Sequence, residues 1–163
     1  MGGGIWISAR EGRLSLGRFL DRESWWLDLA LGAGLGLVLV ALWQGARRVL
    51  SGAASLEAHL AQLLHGAAPA ETLALAALSG FAEELFFRGA VQGAWGLVPA
   101  ALLFALLHIG PAPAFRLWAL FAAVAGLALG LLMLWRENLL GPILAHVVVN
   151  AVNLRRLALR GGA

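Results

Sequence analysis

Apolar residues run along this chain in blocks long enough to cross a bilayer, and short polar or Gly/Pro breaks separate the blocks. The first block, Trp25 to Ala46, opens on Trp25-Trp26 as an interfacial belt and closes on Arg47-Arg48. Gly32, Gly34 and Gly36 give it a small-residue face for close helix packing. Ser51 to Ala70, carrying Glu57, His59, Gln62 and His65, reads as an amphipathic connector suited to the membrane interface rather than a span. A second span runs from about Ala70 to Trp95. The third, Leu97 to Ile109, reaches only ~20 Å of a ~30 Å hydrocarbon core at about 1.5 Å per residue. Gly110-Pro111-Ala112-Pro113 ends it. Leu117 to Trp135 is the cleanest span, free of charge, with Gly126 and Gly130 at packing distance along one helix face. The last block, Leu139 to Leu154, is expected to be interrupted at Gly141-Pro142. No strand alternation and no internal repeat is present. The pattern predicts an all-α fold, a polytopic transmembrane helical bundle of about four to five membrane helices.

Composition strengthens this. The chain is 61% hydrophobic and 13% charged, against roughly 45–50% and 25% in soluble domains. The lipid bilayer is therefore its first partner. All twelve basic residues are Arg, scattered without a basic stripe, so nucleic acid is not expected as a partner. With no Cys there is no disulfide, thiolate nucleophile or Cys-bound metal. Asp occurs only at Asp21 and Asp28, at or before the first apolar block, so an intramembrane aspartyl dyad is excluded. The first 23 residues, with Arg10, Arg13, Arg18 and Arg22, lack the apolar core of a signal peptide. The first helix accordingly reads as a retained signal anchor. On a five-span reading with the N-terminus inside, Arg10, Arg13, Arg18, Arg22 and Arg136 fall on one side. Arg47, Arg48, Arg116, Arg155, Arg156 and Arg160 fall on the other. So even a split assigns no orientation.

Against this background the polar residues inside the last four blocks stand out: Glu83, Glu84, Arg88, His108, His146, Asn150 and Asn153. A charge at mid-bilayer costs roughly 2.5–3.5 kcal/mol on insertion scales, so an intramembrane ionisable cluster is a functional-site candidate. Glu84 and Arg88 stand i,i+4 with the acid first, the favoured order for an ion pair. Glu83 points about 100° away and has no local counter-charge, which makes it the better general base. Phe104 and His108 share a face of the third helix, and His146 and Asn150 share one on the last. Burying the three polar faces together is the cheapest arrangement in lipid. The set can activate water and hold an oxyanion. Equally, Glu83, His108 and His146 could bind a divalent metal such as zinc. The structural readings stand beside these: Glu84–Arg88 as a bundle-locking pair, His108 as a packing residue, and His146 with Asn150 as an interhelical clasp. Asn153 reads as an interface residue, His59 and His65 as solvated. The Trp and Phe residues read as lipid-facing or belt residues.

Other catalytic classes lack their parts. No His-Glu-x-x-His zinc motif exists, since His108 is followed by Ile109 and His146 by Val147. Ser79 precedes Gly80, but Ala77 stands where a serine nucleophile elbow wants Gly. There is no phosphate-binding glycine loop.

Glu83-Glu84-x-x-x-Arg88, Phe104-x-x-x-His108 and His146-x-x-x-Asn150, in that order and each on an apolar helix, resemble the three motifs of the CAAX prenyl protease and bacteriocin-processing (CPBP, or Abi) family of intramembrane proteases. The flanking Leu85-Phe86-Phe87, Gly130-Leu131-Leu132 and Pro142-Ile143-Leu144-Ala145 are similar to family wording as well. The resemblance covers about residues 71–157. It implies a catalytic core there, preceded by an arm, anchor helix and connector (1–70) and followed by a short tail (158–163). It implies that Glu83 and His108 activate water, that His146 and Asn150 stabilise the oxyanion, and that Glu84, Arg88 and Phe104 support the site. Either a metal-dependent or a metal-free glutamate mechanism fits the resemblance. The implied activity is endopeptidase cleavage of CAAX-like or small membrane-associated peptides, in a prokaryotic cytoplasmic membrane. The alternative is a non-enzymatic immunity or scaffold protein that keeps the polar clasp. One helix plus a connector ahead of the first motif is fewer than the family usually has, which leaves room for a second copy of the chain, a homo-oligomer, to complete the cavity.

Overall fold

The computed structural model describes residues 24–160, and the arginine-bearing arm, with the reading that it lacks a signal-peptide core, lies outside them. The described chain forms α1 (Trp25–Val49), α2 (Ser51–Leu63) and α3 (Pro69–Glu84). From α3 it continues without a break through a π-helical segment (Leu85–Val91) into α4 (Gln92–Trp95). Then follow α5 (Leu97–Leu106), α6 (Phe115–Arg136) and α7 (Leu140–Arg160). No strand occurs among the described residues, and the fold is the all-α bundle the sequence predicts.

Local chemistry sets the boundaries. Pro69 opens α3 at a position where its missing N–H costs nothing, and the Glu71 carboxylate accepts a hydrogen bond from the Ala68 N–H at 2.7 Å. Gly96, at φ 89°, turns the chain between α4 and α5, a conformation that L side chains rarely adopt. Contrary to the expected interruption, Gly141-Pro142 falls in the first turn of α7, where proline has no intrahelical bond to break. The helix also runs past Leu154 to Arg160, because Leu157 and Ala158 are buried and Arg160 donates to Glu57 on α2 at 2.8 Å.

α7 is the central helix. It runs parallel to α1, with Gly32 against Gly141, Gly36 against Ala145, and Gln44 donating to Asn153 at 3.5 Å. A Cβ on Gly32 would stand 2.5 Å from the Gly141 carbonyl oxygen, so the two backbones touch as the glycine face predicts. α3 runs antiparallel to α7, placing Gly80 against Val147. α6 lies antiparallel to α5, with Gly126 against Ala101.

The outside of the bundle is apolar. Leu37, Leu78, Leu131 and Trp135 are all more than half exposed, as are other large apolar side chains on α1, α3, α5 and α6. Soluble monomers rarely show so much contiguous apolar surface. A bilayer requires it. α1 and α6, with 25 and 22 residues, are long and apolar enough to cross one. The aromatic residues divide between two roles. Trp25, Trp26, Trp95 and Trp135 are exposed, but Trp43, Phe87 and Phe104 are core, contrary to the expectation that all face lipid or the interface. Trp43 is drawn inward because its indole N–H donates to the buried Glu57 at 3.1 Å, and Trp118 packs edge-on against it.

Candidate active site

The three polar faces converge where α3, the end of α5 and the early turns of α7 meet. Glu84 and Arg88 are buried and paired at 2.9 Å, as the i,i+4 spacing predicts. The second Arg88 nitrogen donates to the Gly126 carbonyl at 3.1 Å, tying this helix to α6. The guanidinium also lies 4.7 Å from the centre of the Phe104 ring, within cation–π range. The same Glu84 oxygen that receives Arg88 lies 2.7 Å from His146 Nδ1. A carboxylate beside Arg accepts only, so Nδ1 carries the proton and Nε2 faces away from Glu84. Arg88, Glu84 and His146 thus form one buried chain across α3 and α7.

At the end of that chain is Glu83. Its carboxylate lies 3.9 Å from His146 Nε2, about 30% exposed, with a buried Oε2 that has no hydrogen-bond partner. Glu83 and His108 line one cleft of about 360 Å³ together with Ala82, Phe86, Phe87 and Leu107. His108 lies in the turn just past α5, its Nδ1 2.7 Å from the Phe104 carbonyl. A carbonyl oxygen only accepts, so Nδ1 is again the protonated nitrogen, and Nε2 of the neutral ring is left with its lone pair.

Behind the cleft, His108, His146 and Asn150 line a small cavity of about 30 Å³ with Phe104 and Trp118. That volume suffices for a water, which needs roughly 10–15 Å³ of such space and polar partners. Phe104 contacts both imidazoles, with ring centres 4.4 Å from His108 and 5.8 Å from His146, and spaces them apart. Asn150, one turn beyond His146 on the same face of α7, also reaches across to α3. Its amide donates to Ser79 Oγ on α3 at 2.9 Å.

The structure thus brings Glu83, Glu84, Arg88, Phe104, His108, His146 and Asn150 to one locus. It sets Asn153 apart, at the α1–α7 interface, and leaves His59 and His65 exposed on or just past α2. Among the described residues no three His, Asp or Glu side chains converge closely enough to hold a metal ion. His146 donates through Nδ1 to Glu84 and keeps Nε2 available, the usual pose of a metal-binding imidazole, but Glu83, His108 and His146 do not stand close enough together to form a ligand set.

Sequence reasoning missed three participants. Gln92 is buried and donates to the Gly130 carbonyl at 2.9 Å, a polar residue inside an apolar run that the ionisable cluster overshadowed. Ser79, weighed only as a nucleophile, is the partner of Asn150. Asp28, fully buried, receives Arg136 at 2.6 Å and the Asn138 amide at 2.8 Å, which clamps α1 to the α6–α7 turn. Glu137 supports that turn in a left-handed conformation, and Asn138 Oδ1 caps the Leu140 N–H.

The site is thus a buried acid–imidazole chain that ends beside a carboxylate in an open cleft of an apolar helical bundle. Residues 65–152, more than half of the chain, match the family described as type II CAAX prenyl endopeptidase Rce1-like, and the chain belongs to that family. It is also similar to the uncharacterized protein YpbD of Bacillus subtilis (strain 168), at 41% identity over 78 residues. That match covers 48% of this chain and 41% of YpbD, so the chain spans well under two thirds of that relative's length. No solved structure matches.

Proposed function

We propose that this protein is an intramembrane endopeptidase that hydrolyses a peptide bond with water activated by Glu83 and His108. The observation that carries the reading is that Glu83, whose Oε2 makes no hydrogen bond among the described residues, and His108, whose Nδ1 is taken by the Phe104 carbonyl, line one cleft. Glu83 accepts a proton from water as the oxygen attacks the peptide carbonyl carbon. The C–N bond breaks when that proton passes to the leaving nitrogen, and the second water proton leaves the new carboxylic acid for the released amine, giving a carboxylate and an ammonium group. His108 Nε2 accepts the second water hydrogen bond and fixes the attack direction. The oxyanion is met from the α7 side, by the Asn150 amide and by His146 when both its nitrogens are protonated. Arg88 and Glu84 hold His146 in place.

The lining of the cleft by Phe86, Phe87 and Leu107 suits an apolar segment beside the scissile bond, which supports CAAX-like or small membrane-associated peptides as substrates. The bilayer is read as a prokaryotic cytoplasmic membrane. The test compares peptide termini in membranes of the native host carrying wild type or Glu83→Gln at equal abundance. Truncations found only with wild type identify both activity and substrate. Identical profiles would favour the non-enzymatic immunity or scaffold role.

A further inference from the structure

Four arginines crowd one end of the bundle around a single carboxylate. Because α1 and α7 run parallel, their C-terminal ends emerge together, bringing Arg47 and Arg48 beside Arg156 and Arg160. Arg155 adjoins them in sequence. Glu57 on α2 is the acid among them. It accepts Arg160 at 2.8 Å, lies 3.7 Å from Arg47, and is also bonded by Trp43. Among the described residues, Arg48 and Arg156 have no hydrogen-bond or ion-pair partner. Arg156 lies beyond the apolar stretch of α7. Its guanidinium is held below its ordinary value, first by burial, then by repulsion from Arg47, with Glu57 opposing and Arg160 and Arg48 adding to the repulsion. Like charges this close raise the energy of the folded state unless an anion sits among them.

The surroundings say which anion. Val49 and Leu50, next to Arg48, are 80% and 43% exposed, and Leu159, next to Arg160, is 64% exposed. Guanidinium groups interleaved with bare apolar side chains, at the end of a membrane bundle, match the layer where phosphates meet acyl chains. An acidic soluble protein or a nucleic acid would leave those apolar groups uncovered. We propose that Arg47, Arg48, Arg156 and Arg160 form a binding site for the phosphate of an anionic phospholipid, which completes the charge balance that Glu57 alone leaves short.

The test uses the full chain reconstituted in phosphatidylcholine vesicles containing spin-labelled phosphatidylglycerol or spin-labelled phosphatidylcholine. The motionally restricted fraction of each probe gives their relative affinity for the protein surface. Wild type is expected to prefer phosphatidylglycerol, and the preference should fall as salt rises from 50 to 500 mM. Arg48→Gln and Arg156→Gln should each weaken it about fivefold, the factor that about 1 kcal/mol per surface arginine represents. Arg116→Gln, at the same end of the bundle but against the first turn of α2 rather than among the four arginines, should weaken it less than either. Inorganic phosphate at 10 mM should not displace the lipid; displacement would mean a free-anion site and overturn the proposal. So would equal affinity of wild type for the two probes, or an unchanged preference in the double variant Arg48→Gln/Arg156→Gln. If that double variant does not fold, the wild-type preference and its salt dependence decide.

Discussion

Replacing Arg88 by Met tests whether the buried ion pair is a structural necessity created by Glu84. The substitution roughly conserves volume but removes three interactions: the 2.9 Å bond to Glu84, the 3.1 Å bond to Gly126 and the stacking over Phe104. Glu84, with no exposed surface, would then keep only His146. Breaking a buried pair from one side costs about 3–5 kcal/mol, mostly because the remaining charge is stranded. The double variant Arg88→Met/Glu84→Gln strands no charge, and the new amide can still accept from His146. It should therefore be more stable than Arg88→Met alone, by about 2 kcal/mol or more, giving a strong non-additive term in the mutant cycle. The assay is reversible unfolding in mixed micelles, followed by helicity, for wild type, both single variants and the double variant. A cost below about 1 kcal/mol for Arg88→Met, or a double variant no more stable than it, would refute the stranded-charge reasoning.

Three further outcomes follow from the same geometry. Asn150→Ala should lower kcat by about 10²–10³, the usual loss for an oxyanion donor, while Ser79→Ala, which frees the Asn150 amide from its 2.9 Å tether, should lower kcat by only about tenfold and leave KM unchanged; an equal loss in both would place Ser79 in the chemistry itself. Gly32→Val should push α1 from α7, because the added Cβ meets the Gly141 backbone rather than a movable side chain, and cross-linking between cysteines placed at positions 44 and 153 should fall accordingly. Asp28→Ala should leave Arg136 and Asn138 without their buried acceptor and destabilise the fold by about 3 kcal/mol, read as a lower Tm in detergent.

Much of the site was legible because the bilayer makes polar residues conspicuous. Glu83, Glu84, Arg88, His108, His146 and Asn150 could be selected simply as groups that apolar helices should not contain, and i,i+4 spacing correctly paired Glu84 with Arg88. Spacing says nothing about what lies across a helix interface. It put His146 and Asn150 on one face without naming their partners, and packing supplied them from α3, Glu84 for His146 and Ser79 for Asn150. The Asp28 clamp was hidden for the same reason: its partners lie more than a hundred residues away. Pro142 was misjudged because a helix start is set by the preceding turn, where Asn138 caps the backbone, and not by proline alone. The length of α7 depended on contacts with α2 that no local pattern encodes.

The π-helical segment Leu85–Val91 has a consequence for how this chain can vary. Each such turn amounts to one extra residue carried within an otherwise α-helical column. Upstream, the column presents Glu83 and Glu84 to α7 and the cleft; downstream, it anchors Gln92 to α6. The segment sets the rotational phase between those two ends. Losing one residue from it would let the column relax to a regular α-helix and turn the carboxylates about 100° relative to the Gln92 anchor. A substitution here acts at one side chain, whereas an insertion or deletion displaces both ends of the column at once, so the spacing between the carboxylates and Gln92 should be tightly held.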